Sequence, residues 1–211
     1  MDVPADLVRG YRRFRAERYA AEAERYRELA SGQAPRTMVI ACADSRVDPA
    51  VIFSAAPGEL FVVRNVAALV PPFEETGTFH GTSAAIEFAV VNLQVERVVV
   101  LGHGMCGGVA AALAAGESQP VGRFIGPWVD LLAAPRDAVL AEAAGGGQVD
   151  RQRALEHRAV QQSLANLASF PFVRERVEKG RVAMHGGWFS IAEGELRWLD
   201  PASGSFERLP A

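Results

Sequence analysis

Apolar residues along this chain come in short bursts. Four of them, Thr37–Ala41, Leu60–Val63, Arg97–Leu101 and Val182–Met184, have the continuous apolar character of strands buried on both faces of a parallel sheet. Helical patterns separate them. Ser83–Leu93 and Val109–Ala115 are rich in alanine, and Gln152–Leu167 carries Leu155, Ala159, Leu164 and Leu167 among polar positions, as an amphipathic helix does. Strands alternating with helices predict an α/β sheet with covered faces. The turn at Pro57–Leu60, the Pro71–Pro72 pair and the triple glycine Gly145–Gly147 punctuate the pattern as loops rather than domain boundaries. Gly194–Leu209, with two short runs about a Ser–Gly turn, reads as a terminal hairpin. No internal repeat or low-complexity tract interrupts this order.

Ahead of the sheet, Asp6–Ala30 repeats Leu7, Tyr11, Phe14, Tyr26 and Leu29 at near-helical spacing. Two readings fit: a solvated helix with one packed stripe, or a dimerisation arm whose aromatics pack on a neighbouring subunit. Seven arginines and six acids in the first thirty residues are unlike a targeting peptide, and no apolar stretch nears the roughly 20 residues of a membrane span. A cytoplasmic protein is expected. At 211 residues, 49% apolar and 22% charged with a net charge of −3, the chain can bury a substantial core but offers no basic field for nucleic acid or anionic membrane. A small solute is the expected partner.

The chemistry gathers at two strand ends. MVIACADSRVDP presents Cys42, Asp44 and Arg46 on alternate positions, and VVVLGHGMCGGVAAAL presents His103 and Cys106 three residues apart where a helix begins. A helix N-terminus favours the thiolate of Cys106. The carboxyl ends of parallel strands share one edge, so Cys42 and His103 can meet there, giving a Cys2His set suited to zinc with a fourth position open. Asp44 could close that position. Arg46, two residues on, can instead hold the carboxylate in a bidentate pair and draw it away.

These two stretches resemble the zinc signatures of the β-class carbonic anhydrases, in CADSRV at Cys42–Val47 and GHGMCGG at Gly102–Gly108. PGELFVVRNVA at Pro57–Ala67, VPPFE at Val70–Glu74, GTSAAIEFAV at Gly81–Val90 and MHGGW at Met184–Trp188 extend the likeness over roughly residues 31 to 191. The resemblance implies a Rossmann-like, mostly parallel sheet flanked by helices, with residues 1–34 as an N-terminal helical arm and 35–211 as a zinc-binding catalytic domain. It implies reversible hydration of carbon dioxide to bicarbonate and a proton, one zinc per subunit on Cys42, His103 and Cys106, and Asp44 with Arg46 as a catalytic dyad. A homodimer or a multiple of dimers is implied, with Gln33 donated across the interface.

Carbon dioxide is small and apolar, so a narrow slot is expected, with Phe61, Val66 and Phe88 as candidate walls; Phe88 stands where the plant-like branch often has tyrosine. His80 is a candidate proton carrier, whereas His157 and His185 read as structural. Some relatives hold an inhibitory bicarbonate with a tryptophan, an arginine and a tyrosine. The matching positions here are Val39, Arg64 and Phe189, which leaves Arg64 a structural residue anchoring the RNVA loop and predicts the branch without that regulation. Two other functions share the donor set: hydrolysis of carbon disulfide or carbonyl sulfide, and a non-enzymatic zinc regulator, which the retained Asp44–Arg46 pair disfavours.

Overall fold

The computed structural model describes residues 3–77, 80–145 and 150–210. Three parallel neighbours form the heart of the sheet: β1 (Thr37–Cys42), β2 (Leu60–Asn65) and β3 (Arg97–His103). They are joined by β4 (Ala183–Ser190), β5 (Glu195–Leu199) and β6 (Phe206–Arg208) in the order β2-β1-β3-β4-β5-β6. β4 is parallel to β3, and the last two strands are antiparallel, which is the expected hairpin. Because β2 and β3 pair on opposite sides of β1, the strand order reverses beside β1. In open α/β sheets, ligands bind at the carboxyl end of such a switch point. Cys42 and His103 are the last residues of β1 and β3.

One sheet face carries Met38, Ile40, Val98 and Val100 against Ile86, Ala89, Leu167 and Phe170. Its cover comes from α4 (Gly81–Glu87) with the π-helical turn Phe88–Asn92, then α8 (Arg151–Ser169) and α9 (Pro171–Glu178). The intervening helices are α5 (Gly107–Gly116), α6 (Ile125–Val129) and α7 (Ala133–Ala144). Helix α8 reaches the sheet only because β3 and β4 carry glycine beneath it. A Cβ on Gly102 would lie 2.7 Å from a methyl of Val160, and one on Gly186 would lie 2.9 Å from the other. His185, Gly186 and Gly187 break the apolar run of β4, so its sequence pattern stops at Met184 while the strand continues to Ser190. In the triple glycine, Gly146 and Gly147 lie outside the described residues.

The second face holds Val39, Ala41, Val99 and Leu101, with Phe53, Leu60, Phe189 and Trp198 packed against them. Only the short α3 (Pro49–Ile52) follows β1 here. The N-terminal segment is two helices, α1 (Ala5–Phe14) and α2 (Ala23–Leu29), joined through the π turn Arg15–Tyr19. Neither contains a fully buried residue: of the stripe, Leu29 lies over Gly58 of the same chain, where a Cβ would stand 2.6 Å from its methyl. Phe14, Tyr19 and Tyr26 cluster at 5.1–6.1 Å between ring centroids. Leu7 and Tyr11 remain 64% and 62% exposed. The segment touches the sheet domain through Arg25, whose guanidinium donates to the Pro57 carbonyl at 2.6 Å and pairs with Glu59 at 3.3 Å.

His157 fastens α8 to the terminal hairpin. It stacks on Phe206 at 4.3 Å and meets Trp188 edge-on at 5.1 Å. Burial pushes its pKa down to about 4, helped by the nearby Arg153 and Arg197 charges. Between pH 6.5 and 4 the unfolded chain binds a proton that the folded one refuses, so this contribution is complete above pH 6.5 and lost as pH falls through the window. Chemical denaturation should find the stability advantage of wild type over His157→Phe about 2 kcal/mol larger at pH 7 than at pH 4. A difference that stays flat with pH would contradict this.

Candidate metal centre

Strand β1 delivers Cys42; Ala43 N–H still bonds the end of β2, donating to the Asn65 carbonyl at 2.8 Å, and the chain then turns with Val47 N–H on the Asp44 carbonyl at 3.2 Å. Strand β3 delivers His103, after which Gly104 N–H donates to Phe189 at 2.9 Å. Met105 adopts φ 55°, and Cys106 caps the start of α5. The two thiols and the imidazole converge, with ligand atoms all within 4.8 Å of one another. All three residues are buried, at 6%, 2% and 2% exposure.

His103 Nδ1 lies 2.9 Å from the Gly104 carbonyl. A proton donated there leaves the Nε2 lone pair free, and among the described residues the buried Nε2 has no hydrogen-bond partner. The sulfur atoms stand 3.9 Å apart. One proton lies between them, and either sulfur can carry it: the hydrogen bond between the thiols holds one of the pair low and pushes its neighbour up. An orphaned imidazole nitrogen facing two such sulfurs fits a soft tetrahedral metal and makes poor sense without one.

Asp44 is held beside this trio and out of it. Arg46 Nε donates to Oδ1 at 2.9 Å and its terminal nitrogen to Oδ2 at 2.6 Å, while Arg46 N–H donates to Oδ1 at 2.9 Å. These bonds hold the carboxyl well below the usual range. The same guanidinium donates to the Met105 carbonyl at 3.2 Å, which ties the two ligand loops together. Asp44 Oδ2 lies only 4.0 Å from His103 Nε2.

Arg64 corrects the sequence reading. It anchors the loop of the first cysteine, not its own: Nε donates to the Cys42 carbonyl at 2.9 Å, Nη1 to Asp48 at 3.1 Å, and Nη2 to the Asp44 carbonyl. The RNVA loop is held instead by Asn65, whose amide donates to the Leu69 carbonyl at 2.8 Å and accepts from Leu69 N–H at 2.9 Å. That clamp supports two successive left-handed alanines, Ala67 at φ 64° and Ala68 at φ 56°, an arrangement that L residues adopt only under constraint. It also sets Val66 against the first turn of α5. A Cβ on Gly108 would meet a Val66 methyl at 2.7 Å, so α5 and Val66 approach closely only over glycine.

The other slot candidates lie elsewhere in the chain. Phe61 pairs with Met38, four residues and therefore roughly 13 Å along β1 from Cys42, and contacts Phe88 at 5.8 Å between centroids. Gln33 is exposed in the linker before β1. His80 faces Glu74 at 3.9 Å, in the wall of a cavity of about 670 Å³ with Glu87 and Phe170. Sequence reasoning passed over Glu156, buried at 3% exposure with a hydrogen bond to Cys106. An acid between Leu155 and Ala159 on the apolar stripe of α8 was the available signal.

Two buried sulfurs and an imidazole converging at one edge of a Rossmann-like sheet form a donor set that zinc would fit. The carbonic anhydrase family model matches residues 37–196, and the chain belongs to that family, in its β class. These are zinc lyases that interconvert carbon dioxide and bicarbonate. The chain is 35% identical over 192 residues to β carbonic anhydrase 5, chloroplastic, of Arabidopsis thaliana, a match covering 91% of this chain and 63% of that protein. The β-carbonic anhydrase CcaA superposes with a TM-score of 0.89 at 29% identity, covering 98% of this chain and 92% of that one. One of two tetrameric β-carbonic anhydrases of the ascomycete Sordaria macrospora gives 0.80 at 29% identity, covering 92% and 94%.

Proposed function

We propose that this chain hydrates carbon dioxide reversibly to bicarbonate and a proton, with one zinc held by Cys42, His103 and Cys106. The carrying observation is the orphaned His103 Nε2 with a carboxylate held 4.0 Å away by an arginine fork. Zinc bound there supplies the Lewis acidity that makes a nucleophile of water near neutral pH. Asp44, ionised and oriented, accepts a hydrogen bond from the group that attacks and so aims its lone pair at the substrate carbon. Arg46 positions Asp44 and keeps it from the metal. Val66, 39% exposed and close against Gly108 at the start of α5, forms the apolar wall contributed by the same subunit.

Gln33 and the Phe61–Phe88 pair serve the site of a second copy, in a homodimer or a multiple of dimers. Two unpartnered features of the chain support this: the exposed Leu7 and Tyr11 of the arm over residues 1–34, and an apolar cavity of about 330 Å³ on the thinly covered sheet face of the catalytic domain, lined by Val39, Phe53, Leu60, Val99 and Trp198. The Sordaria relative is tetrameric. Cooperative bicarbonate inhibition is not expected here, because Arg64 spends its donors on the Cys42 loop and Val39 and Phe189 lie in one apolar cluster. Among the described residues no helix is long and apolar enough to cross a membrane. The two cysteines of the centre are free thiols, which favours a reducing compartment, the cytoplasm in this reading.

Stopped-flow carbon dioxide hydration, run beside a sulfide-release assay on carbon disulfide and carbonyl sulfide, tests the substrate. Hydration is expected with zinc at one per chain. Sulfide release without hydration would overturn the reading, and a monomer that remains fully active in sedimentation would overturn the shared site.

A further inference from the structure

Glu156 is a carboxylate in the core, and the reaction as described does not use it. It projects from α8 at 3% exposure and has no salt-bridge partner among the described residues. Its hydrogen bonds come from neutral groups alone. Oε1 accepts from the backbone N–H of Cys106 at 3.0 Å and from Gln152 Nε2 at 2.8 Å, and Oε2 accepts from the Trp188 indole at 3.1 Å. Gln152 Nε2 also donates to the Cys106 carbonyl at 3.0 Å. Both polar groups of the Cys106 backbone are therefore gripped from one helix.

Filling that space required no charge. A buried carboxylate without a cation is costly, and an apolar side chain of similar volume would avoid the cost. What the carboxylate adds is two strong acceptors at fixed points, one on the ligand loop and one on β4. The first fixes Cys106 at the N-cap of α5. The second holds Trp188, whose ring lies 3.1 Å from where a Cβ on Gly104 would stand, against the turn that follows His103. Two of the three ligands hang on this turn.

We propose that Glu156 is a positioning residue of the metal centre, clamping the His103–Cys106 turn so that its imidazole and sulfur converge with Cys42 in metal-binding geometry. The proposal rests on reading Cys42, His103 and Cys106 as the zinc ligands. Such outer partners govern metal affinity and ligand orientation.

Glu156→Gln keeps the shape but turns one acceptor into a donor, facing either the Cys106 N–H or the Trp188 indole. Two measurements on the purified full chain read the effect: zinc release from the holoprotein to a chromophoric chelator, and the visible absorption of cobalt(II)-substituted protein, which reports ligand geometry. Glu156→Gln is expected to fold as wild type by circular dichroism, to release zinc roughly 10–100-fold more readily, and to shift the cobalt bands. Gln152→Met, at a half-buried position, removes the grip on the Cys106 carbonyl and should move both readouts the same way by a smaller factor. If Glu156→Gln does not fold, Gln152→Met decides. Zinc release and cobalt bands like those of wild type in the deciding variant overturn the clamp. Wild-type protein that takes up no zinc overturns the ligand reading instead.

Discussion

Arg46→Ala is expected to keep the fold and the zinc and to lose carbon dioxide hydration by roughly 100-fold or more, the scale of removing one preorganised polar contact from a reacting centre. The reason is positional. Three hydrogen bonds from Arg46 hold Asp44, and two of them come from the side chain. Without these, a carboxylate 4.0 Å from His103 Nε2 is free to swing onto the metal as a fourth ligand, closing the position that water must occupy. The guanidinium is half exposed, at 50%, so its removal leaves no cavity in the core and the fold should not suffer. Stopped-flow rates and zinc content on the same preparation check this. Turnover within a factor of two of wild type would remove Arg46 from the mechanism.

Cys106→Ser should abolish both zinc retention and activity, and it isolates the metal from the fold unusually well. Cys106 is the N-cap of α5 and makes no side-chain capping bond. Serine is among the preferred residues at that position, so helix α5 should be unharmed or slightly favoured. As a metal ligand, however, a neutral hydroxyl is a poor replacement for a thiolate, and structural zinc sites depend on the deprotonated sulfur. Elemental analysis should fall from one zinc per chain to a small fraction, with circular dichroism unchanged. Full occupancy in the variant would show that the ligand set is wrong.

The parts of this molecule that sequence revealed are those encoded by neighbours. Cys42, Asp44 and Arg46 lie within five residues, as do His103 and Cys106 within four. Their convergence required only that both strands be parallel and end on one edge. Glu156 stayed hidden because its partners Cys106 and Trp188 are 50 and 32 residues away, and an acid in a helical repeat reads first as solvent-facing. Arg64 was assigned to its own loop for the same reason, since its real contacts lie 16 to 22 residues back in the chain. The π turns at Arg15–Tyr19 and Phe88–Asn92 were also illegible, because one extra residue in a turn barely disturbs an apolar period.

Cys42 and Cys106 are separated by 64 positions, with all of β2, α4 and β3 between them. A metal bound to both therefore acts as a staple across a long loop, and closing such a loop in the denatured chain carries an entropy cost that grows slowly with its length. During folding the trio cannot assemble until β3 has crossed over to pair with β1, so metal capture records the completion of that crossover and then resists its reversal. Chelation should accordingly loosen the β1–β3 seam before the rest of the sheet, visible as faster amide exchange there.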